Sequence, residues 1–274
     1  MYFTYNNINI YYEIKGDPNG KETIAFLNGV MASTTSWDLT SPLFEKFGFK
    51  IIRFDFKGQL KSDKPVPEKG IYSFKEHAEE TKALLDFLGV KSVHLVGTSY
   101  GGEVSMKFAS MYPSFVKTLT IIDSVSELDD VCKGFVNSWK ALCDLNDGEV
   151  FFKGMAPSIY GPDFLRNNRK MLEDRAKAFK STPREYYEGQ KILYDTFAQD
   201  VTMTSELSKI ECPTLVVCGQ EDILKPQKFS EIIYQNIKKC EFAVFPHCGH
   251  VTIFEQPGIL NSTLLGFIVK NCKE

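Results

Sequence analysis

The chain has no basic block, no Cys-x-x-Cys pair and no apolar run of membrane-spanning length. With a formal net charge of −3 over 274 residues, the first absence argues against a nucleic-acid partner. The opening MYFTYNNINIYY carries neither a positive n-region nor an apolar h-region, so no export signal is expected. The seven scattered cysteines then read as reduced thiols, and the protein is expected in the cytoplasm without a membrane partner. There is no G-x-x-x-x-G-K-[ST] and no early G-x-G-x-x-G, so no nucleotide cofactor is expected, nor any other. Histidine is scarce too: His77, His94, His247 and His250 are the only four, which narrows any search for a base.

What is present is an ordinary globular composition, 43% hydrophobic and 24% charged. The length suits one large α/β domain with an insertion, or two domains. Residues 2–5 and 8–14 nearly alternate around Asn6-Asn7, which predicts a hairpin. Short buried strands are expected at 23–27, 50–54, 93–96 and 118–122. A helix is expected over 37–47, with Ser36 as N-cap and Gly48 as C-cap. Ser73-Phe74-Lys75-Glu76 is a capping box that opens another helix, ended by Gly89. Residues 126–207 read as helices and loops without a strand. Strand–helix alternation then resumes with a strand at 214–218, a helix at 227–237, a strand at 241–245 and a helix at 260–269. The pattern predicts an α/β fold with a mostly parallel sheet covered on both faces, built from residues 1–125 and 208–274, and a helical insertion at 126–207.

The chemistry centres on Gly97-Thr98-Ser99-Tyr100-Gly101, a G-x-S-x-G between a strand and a helix expected at 103–111. A sharp strand-to-helix turn lifts the Ser99 hydroxyl clear of the backbone and beside free N–H groups that favour negative charge. A serine needs a base, and the base an orienting acid. His77 falls on a helix and His94 within a strand, away from the carboxyl edge where open α/β sheets place their chemistry, so both read as structural. His247 and His250 follow the last strand and both can reach the site. Asp123 and Asp222 both follow strands and compete for the acid. His247-Cys248-x-His250 lacks a further ligand cluster, so no metal is expected.

Three motifs make a resemblance specific. Gly249, His250, Glu255 and Pro257 fit G-H-x-x-x-x-E-x-P. Gly219-Gln220-Glu221-Asp222 fits G-x-x-D. Asp55, Gly58 and Ser62 fit D-x-R-G-x-G-x-S, with Lys57 for the arginine and Leu60 for the second glycine. The chain resembles the α/β-hydrolase superfamily along its whole length, most loosely in 126–207. More narrowly it is similar to the cap-bearing serine esterases and lactonases that include 3-oxoadipate enol-lactonases, bromoperoxidase-type hydrolases and antibiotic-biosynthesis methylesterases. The resemblance implies a catalytic triad of Ser99, Asp222 and His250 and an oxyanion hole of the Val30 and Tyr100 backbone N–H groups. The substrate pocket is expected to involve Asn28, which stands where the family carries histidine, together with Trp139 and Phe152 from the insertion. The implied activity is hydrolysis of a small-molecule ester, lactone or thioester through an acyl-enzyme. Acyl transfer, C–C or cyanohydrin cleavage at the same site, and slow-turnover ligand binding are the alternatives. A dehalogenase would need a carboxylate where Ser99 stands. A monomer and a homodimer are both compatible with the sequence.

Overall fold

Eight strands form a single sheet in the order β1-β2-β4-β3-β5-β6-β7-β8 in the computed structural model, which describes residues 1–272. They are β1 (Tyr2–Tyr5), β2 (Ile8–Gly16), β3 (Thr23–Leu27), β4 (Lys50–Phe54), β5 (Val93–Thr98), β6 (Val116–Ile122), β7 (Thr214–Gly219) and β8 (Cys240–Phe245). Only β1 and β2 run antiparallel to their neighbours. Their hairpin turns at Asn6 and Asn7, both at positive φ as a tight two-residue connection requires. Strands β3, β5 and β7 are buried at every position, which is why they read as unbroken apolar runs.

The period of two sorts side chains into two cores. Leu27, Ile52 and Leu95 face one side, packed with Val104 and Phe108; Phe26, Ile51 and Val96 face the other, packed with Leu264 and Phe267. Each such side chain fully removed from water contributes about 1.5–3 kcal/mol. The first side is covered by α2 (Phe74–Phe87) and α3 (Tyr100–Met111), the second by α1 (Ser41–Lys46) and, at the other end of the chain, Pro257–Asn271. Ser73 and Glu76 close the expected capping box at the start of α2.

The expected 37–47 helix is not continuous. A 3-10 turn, Thr34–Trp37, is capped by Ser33 rather than Ser36, and α1 starts only at Ser41 with Pro42 in its first turn. The Trp37 indole is buried and donates to Asn28 Oδ1 at 2.9 Å, which anchors the chain before α1 begins.

Between β6 and β7 the described residues form no strand. They form α4 (Asp130–Asp144), α5 (Gly148–Ile159), α6 (Pro162–Asn167), α7 (Arg169–Ala178) and α8 (Arg184–Asp200). Asp129 and Asp147 cap α4 and α5 by accepting backbone N–H bonds. After β7 come α9 (Gln227–Asn236), then β8, a one-turn α10 (Thr252–Glu255) that the sequence reading did not separate, and α11 (Pro257–Asn271), which starts earlier than 260. No helix among the described residues is long and apolar enough to cross a membrane.

Candidate active site

Strand β5 passes into α3 through Ser99, whose φ of 51° and ψ of −121° are costly for a residue with a side chain. The turn survives because nothing larger than hydrogen stands two residues either side. A Cβ on Gly97 would meet the Gly101 carbonyl at 2.3 Å, and one on Gly101 would meet the Leu27 carbonyl at 2.2 Å. The Ser99 N–H donates to the Ile122 carbonyl at 2.8 Å, fixing the turn to β6. Strain gathers at this edge of the sheet: Met31, Ser99, Asp123 and His247, all at positive φ, follow the ends of β3, β5, β6 and β8.

Ser99, His250 and Asp222 come together although 151 residues separate the first two. Ser99 Oγ lies 3.0 Å from His250 Nε2, and His250 Nδ1 lies 2.7 Å from Asp222 Oδ2. Asp222 Oδ1 accepts the N–H groups of Leu224 and Lys225 at 2.9 and 2.8 Å, so its loop fixes the carboxylate's direction. With an ionised Asp222, Nδ1–H donates to it, and Nε2 is left to accept from the serine. Burial pulls the His250 pKa down, but the charge and hydrogen bond of Asp222 outweigh it and hold the imidazole above its ordinary value. The His250 N–H donates to the Ile159 carbonyl at the end of α5 at 2.7 Å. Glu255 gathers the N–H groups of Gly161, Gly249 and Val251 at 3.1, 2.9 and 3.3 Å, tying the histidine loop to the α5–α6 joint.

The competitors are engaged elsewhere. Asp123 Oδ1 accepts from the Gly219 N–H at 3.0 Å, and its Oδ2 accepts from the Thr252 N–H and hydroxyl at 3.2 and 2.9 Å. It thus braces the ends of β7 and β8, the two loops that carry Asp222 and His250. Burial, with the Asp222 charge added, pushes its carboxyl well above the usual range. The His247 side chain is 73% exposed, its Nδ1 3.7 Å from both Asp163 and Glu221. His77 sits buried beside Glu80, and His94 bonds Thr118 and Glu22.

Asn28 is not a pocket residue, against the expectation from sequence. It is fully buried, donating to the Phe54 carbonyl at 2.8 Å and accepting from Trp37. Its short amide is held between β4 and the 3-10 turn, so it supports the backbone that follows it. Gln59, inside the degenerate D-x-R-G-x-G-x-S stretch, donates to the Gly29 carbonyl at 2.8 Å, and Gln190 of α8 accepts the Met31 N–H at 2.8 Å. Between these anchors stands Val30. Among the described residues, neither the Val30 nor the Tyr100 N–H donates to another group.

Two cavities meet at Ser99. The larger, about 90 Å³, has His250, Val30, Trp139, Phe152, Ile159 and Phe254 among its walls. Arg175 of α7 also borders it, its guanidinium 5.2 Å from the Phe254 ring centre. Trp139 of α4 and Phe152 of α5 reach this cavity from the helical block. The smaller cavity, about 20 Å³, has Val30, Tyr100, Trp139, Phe197 and Lys225 in its wall. Lys225 is buried, with its ammonium 2.9 and 3.1 Å from the two Glu103 oxygens and 3.2 Å from Ser99 Oγ. Burial pushes the Glu103 carboxyl up, while Lys225 pulls against it. The sequence reading missed this pair. Its only signal is a lysine in Ile223-Leu224-Lys225-Pro226 and an acid in the first turn after the serine.

The strand order, the turn at Ser99 and the insertion between β6 and β7 define the class, and the family described as alpha/beta hydrolase fold matches residues 22–257. The chain belongs to that family. Among similar solved structures, MGS-M2, an alpha/beta hydrolase enzyme from a Medee basin deep-sea metagenome library, is 28% identical with a TM-score of 0.92, over 100% of this chain and 99% of that one. Est816, described as an N-acyl homoserine lactone degrading enzyme, is 26% identical with a TM-score of 0.80, over 97% and 100%. The enol-lactonase of Burkholderia xenovorans LB400, 18% identical at a TM-score of 0.83 over 98% and 100%, shares the fold. By sequence, a proline iminopeptidase of Lactobacillus helveticus is 24% identical over 90% of this chain and 89% of the relative. A putative carbamate hydrolase of Serratia proteamaculans is 24% identical over 95% and 96%.

Proposed function

We infer that the chain is a serine hydrolase cleaving a small-molecule carboxylic ester, lactone or thioester through an acyl-enzyme. The observation that carries this reading is the unbroken line of Asp222 Oδ2, His250 and Ser99 Oγ at 2.7 and 3.0 Å. His250 Nε2 takes the serine proton as Oγ attacks the carbonyl carbon, then returns it to the leaving oxygen or sulfur. Water attacks the acyl-enzyme with the same base, releasing the acid and restoring Ser99. Asp222 keeps Nδ1 protonated and offsets the imidazolium charge. The Val30 and Tyr100 N–H groups receive the developing oxyanion, where one such donor contributes about 3–4 kcal/mol to lowering the barrier.

Residues 126–207 act as a helical cap over the serine, and their largely apolar walls favour a neutral, partly hydrophobic substrate. The lactone-degrading relative at 26% identity supports the lactone arm of this reading. The test is a panel of p-nitrophenyl acyl esters, N-acyl homoserine lactones, a proline arylamide and a carbamate. The native protein and Ser99→Ala are compared, alongside labelling by a fluorophosphonate. Ester or lactone turnover that Ser99→Ala abolishes supports the reading. Turnover confined to the amide or carbamate, or retained by Ser99→Ala, overturns it.

A further inference from the structure

The two cavities at Ser99 are chemically unequal. His250 borders the larger one and not the smaller. A leaving group must receive its proton from His250, so it departs on that side, and the acyl group occupies the other. That acyl side is small: about 20 Å³ admits one or two waters' worth of substituent, or two to three heavy atoms beyond the carbonyl carbon. Its walls are largely apolar (Val136, Trp139, Tyr194, Phe197 and Leu224 among them), with Ser99 at its mouth and Lys225 as the charged group. The ammonium is held there by both Glu103 oxygens and turns a remaining N–H toward Ser99 Oγ at 3.2 Å. Glu103 in turn accepts the Val125 N–H at 2.8 Å, so the pair is anchored to the scaffold.

A buried ammonium has three donors and no acceptor, and each donor left unpaired is costly. Once Ser99 Oγ becomes an ester oxygen, it accepts far less well than a hydroxyl. The Lys225 N–H that it served then needs another acceptor. A plain alkyl chain offers none. The charge of Lys225 is already balanced by Glu103, so the site asks for a neutral oxygen rather than an anion.

Building on the acyl-enzyme reading above, we propose that Lys225 makes the acyl side a specificity site for short acyl groups carrying a neutral oxygen beside the carbonyl, such as 2-alkoxy, 2-hydroxy or 2-oxo acyl groups.

The test uses p-nitrophenyl methoxyacetate and p-nitrophenyl butyrate, whose acyl groups match in length and differ by one ether oxygen for one methylene. Each kcat/KM is divided by that ester's rate constant with hydroxide, which removes the oxygen's own activating effect. The corrected ratio is expected to favour methoxyacetate by roughly 10- to 100-fold in the native protein, the value of a hydrogen bond from a charged donor. In Lys225→Met/Glu103→Gln, which removes both charges and keeps an acceptor for Val125, the ratio should fall to near one. Lys225→Leu/Glu103→Leu is a second, fully apolar pair should the first fail to fold. A native ratio near one overturns the proposal, as does a high ratio that survives loss of Lys225. If the native protein turns over other esters or lactones but neither of these two, this inference alone is overturned; turnover of no ester or lactone overturns the hydrolase reading and this inference with it. Cleavage without preference overturns this inference alone.

Discussion

His250 and Lys225 both reach the Ser99 hydroxyl, at 3.0 and 3.2 Å, and a buried carboxylate backs each, Asp222 at 2.7 Å and Glu103 at 2.9 Å. Judged by distance alone, the two pairs are near equivalents. They differ in what the nitrogen can do. An imidazole facing Asp222 through Nδ1 keeps a lone pair on Nε2, whereas an ammonium only donates. The first can take a proton from Ser99 and give it back; the second can only hold an oxygen in place. Contact with the serine oxygen therefore does not by itself mark a base; a free lone pair is needed as well.

The sharpest break of this comparison comes from removing each side in turn. Ser99→Ala and His250→Gln should each lower kcat by about 10⁴–10⁶ with normal thermal unfolding. Lys225→Met, corrected for its folded fraction, should lose far less; an equal loss would make the pairs functional equals. Next in size, Asp222→Asn should cost about 10⁴ in kcat because the amide favours the wrong tautomer. Asp123→Asn should cost less than about tenfold, since its carboxylate bonds Gly219 and Thr252 and not His250. A large loss in the Asp123 variant alone would transfer the acid's role.

Stability should reverse the ranking. Lys225→Met leaves Glu103 buried without its cation and should cost about 3–5 kcal/mol in denaturant unfolding, while Lys225→Leu/Glu103→Leu should cost much less. Equal costs would mean that the pair is not coupled. Smaller still is the pH effect. The proposed mechanism needs neutral His250, whose pKa is raised above 6.5, so on that mechanism the acid limb of kcat/KM should have its midpoint above that value. Linkage gives the opposite sign for folding: this histidine's contribution to stability is present at acid pH and is lost as pH rises through its folded pKa. A midpoint below 6.5 would mean that Asp222 does not hold the imidazolium. Last, His247→Gln should change kcat/KM by less than about tenfold, because its ring is largely in water.

The parts legible in sequence were those fixed by local chemistry. Strands β3, β5 and β7 announce themselves as apolar runs, and the turn at Ser99 by two glycines that a Cβ would clash at. Helix α1 was misplaced because a tertiary bond, Trp37 to Asn28, fixes the chain where local propensity favoured helix. Asn28 was misassigned for the same reason, as a polar residue next to the site can turn its side chain into the scaffold. The Lys225–Glu103 contact spans 122 residues and belongs to no motif, so no periodicity or spacing could reveal it.

The bonds from Glu255 to Gly161 and Gly249, and from the His250 N–H to the Ile159 carbonyl, carry one more consequence. They work as a latch between the helical block and the histidine loop. Any outward swing of the α5–α6 joint would drag the imidazole away from the serine hydroxyl, disarming the site while it stood open. Traffic through that doorway would be self-defeating. Among the described residues no hydrogen bond joins His250 to the other flank, where Met31, Ser36, Arg175, Phe179 and Phe254 border both the larger cavity and an outer hollow of about 390 Å³. A molecule admitted there would leave the hydrogen bonds of Ser99, His250 and Asp222 in place.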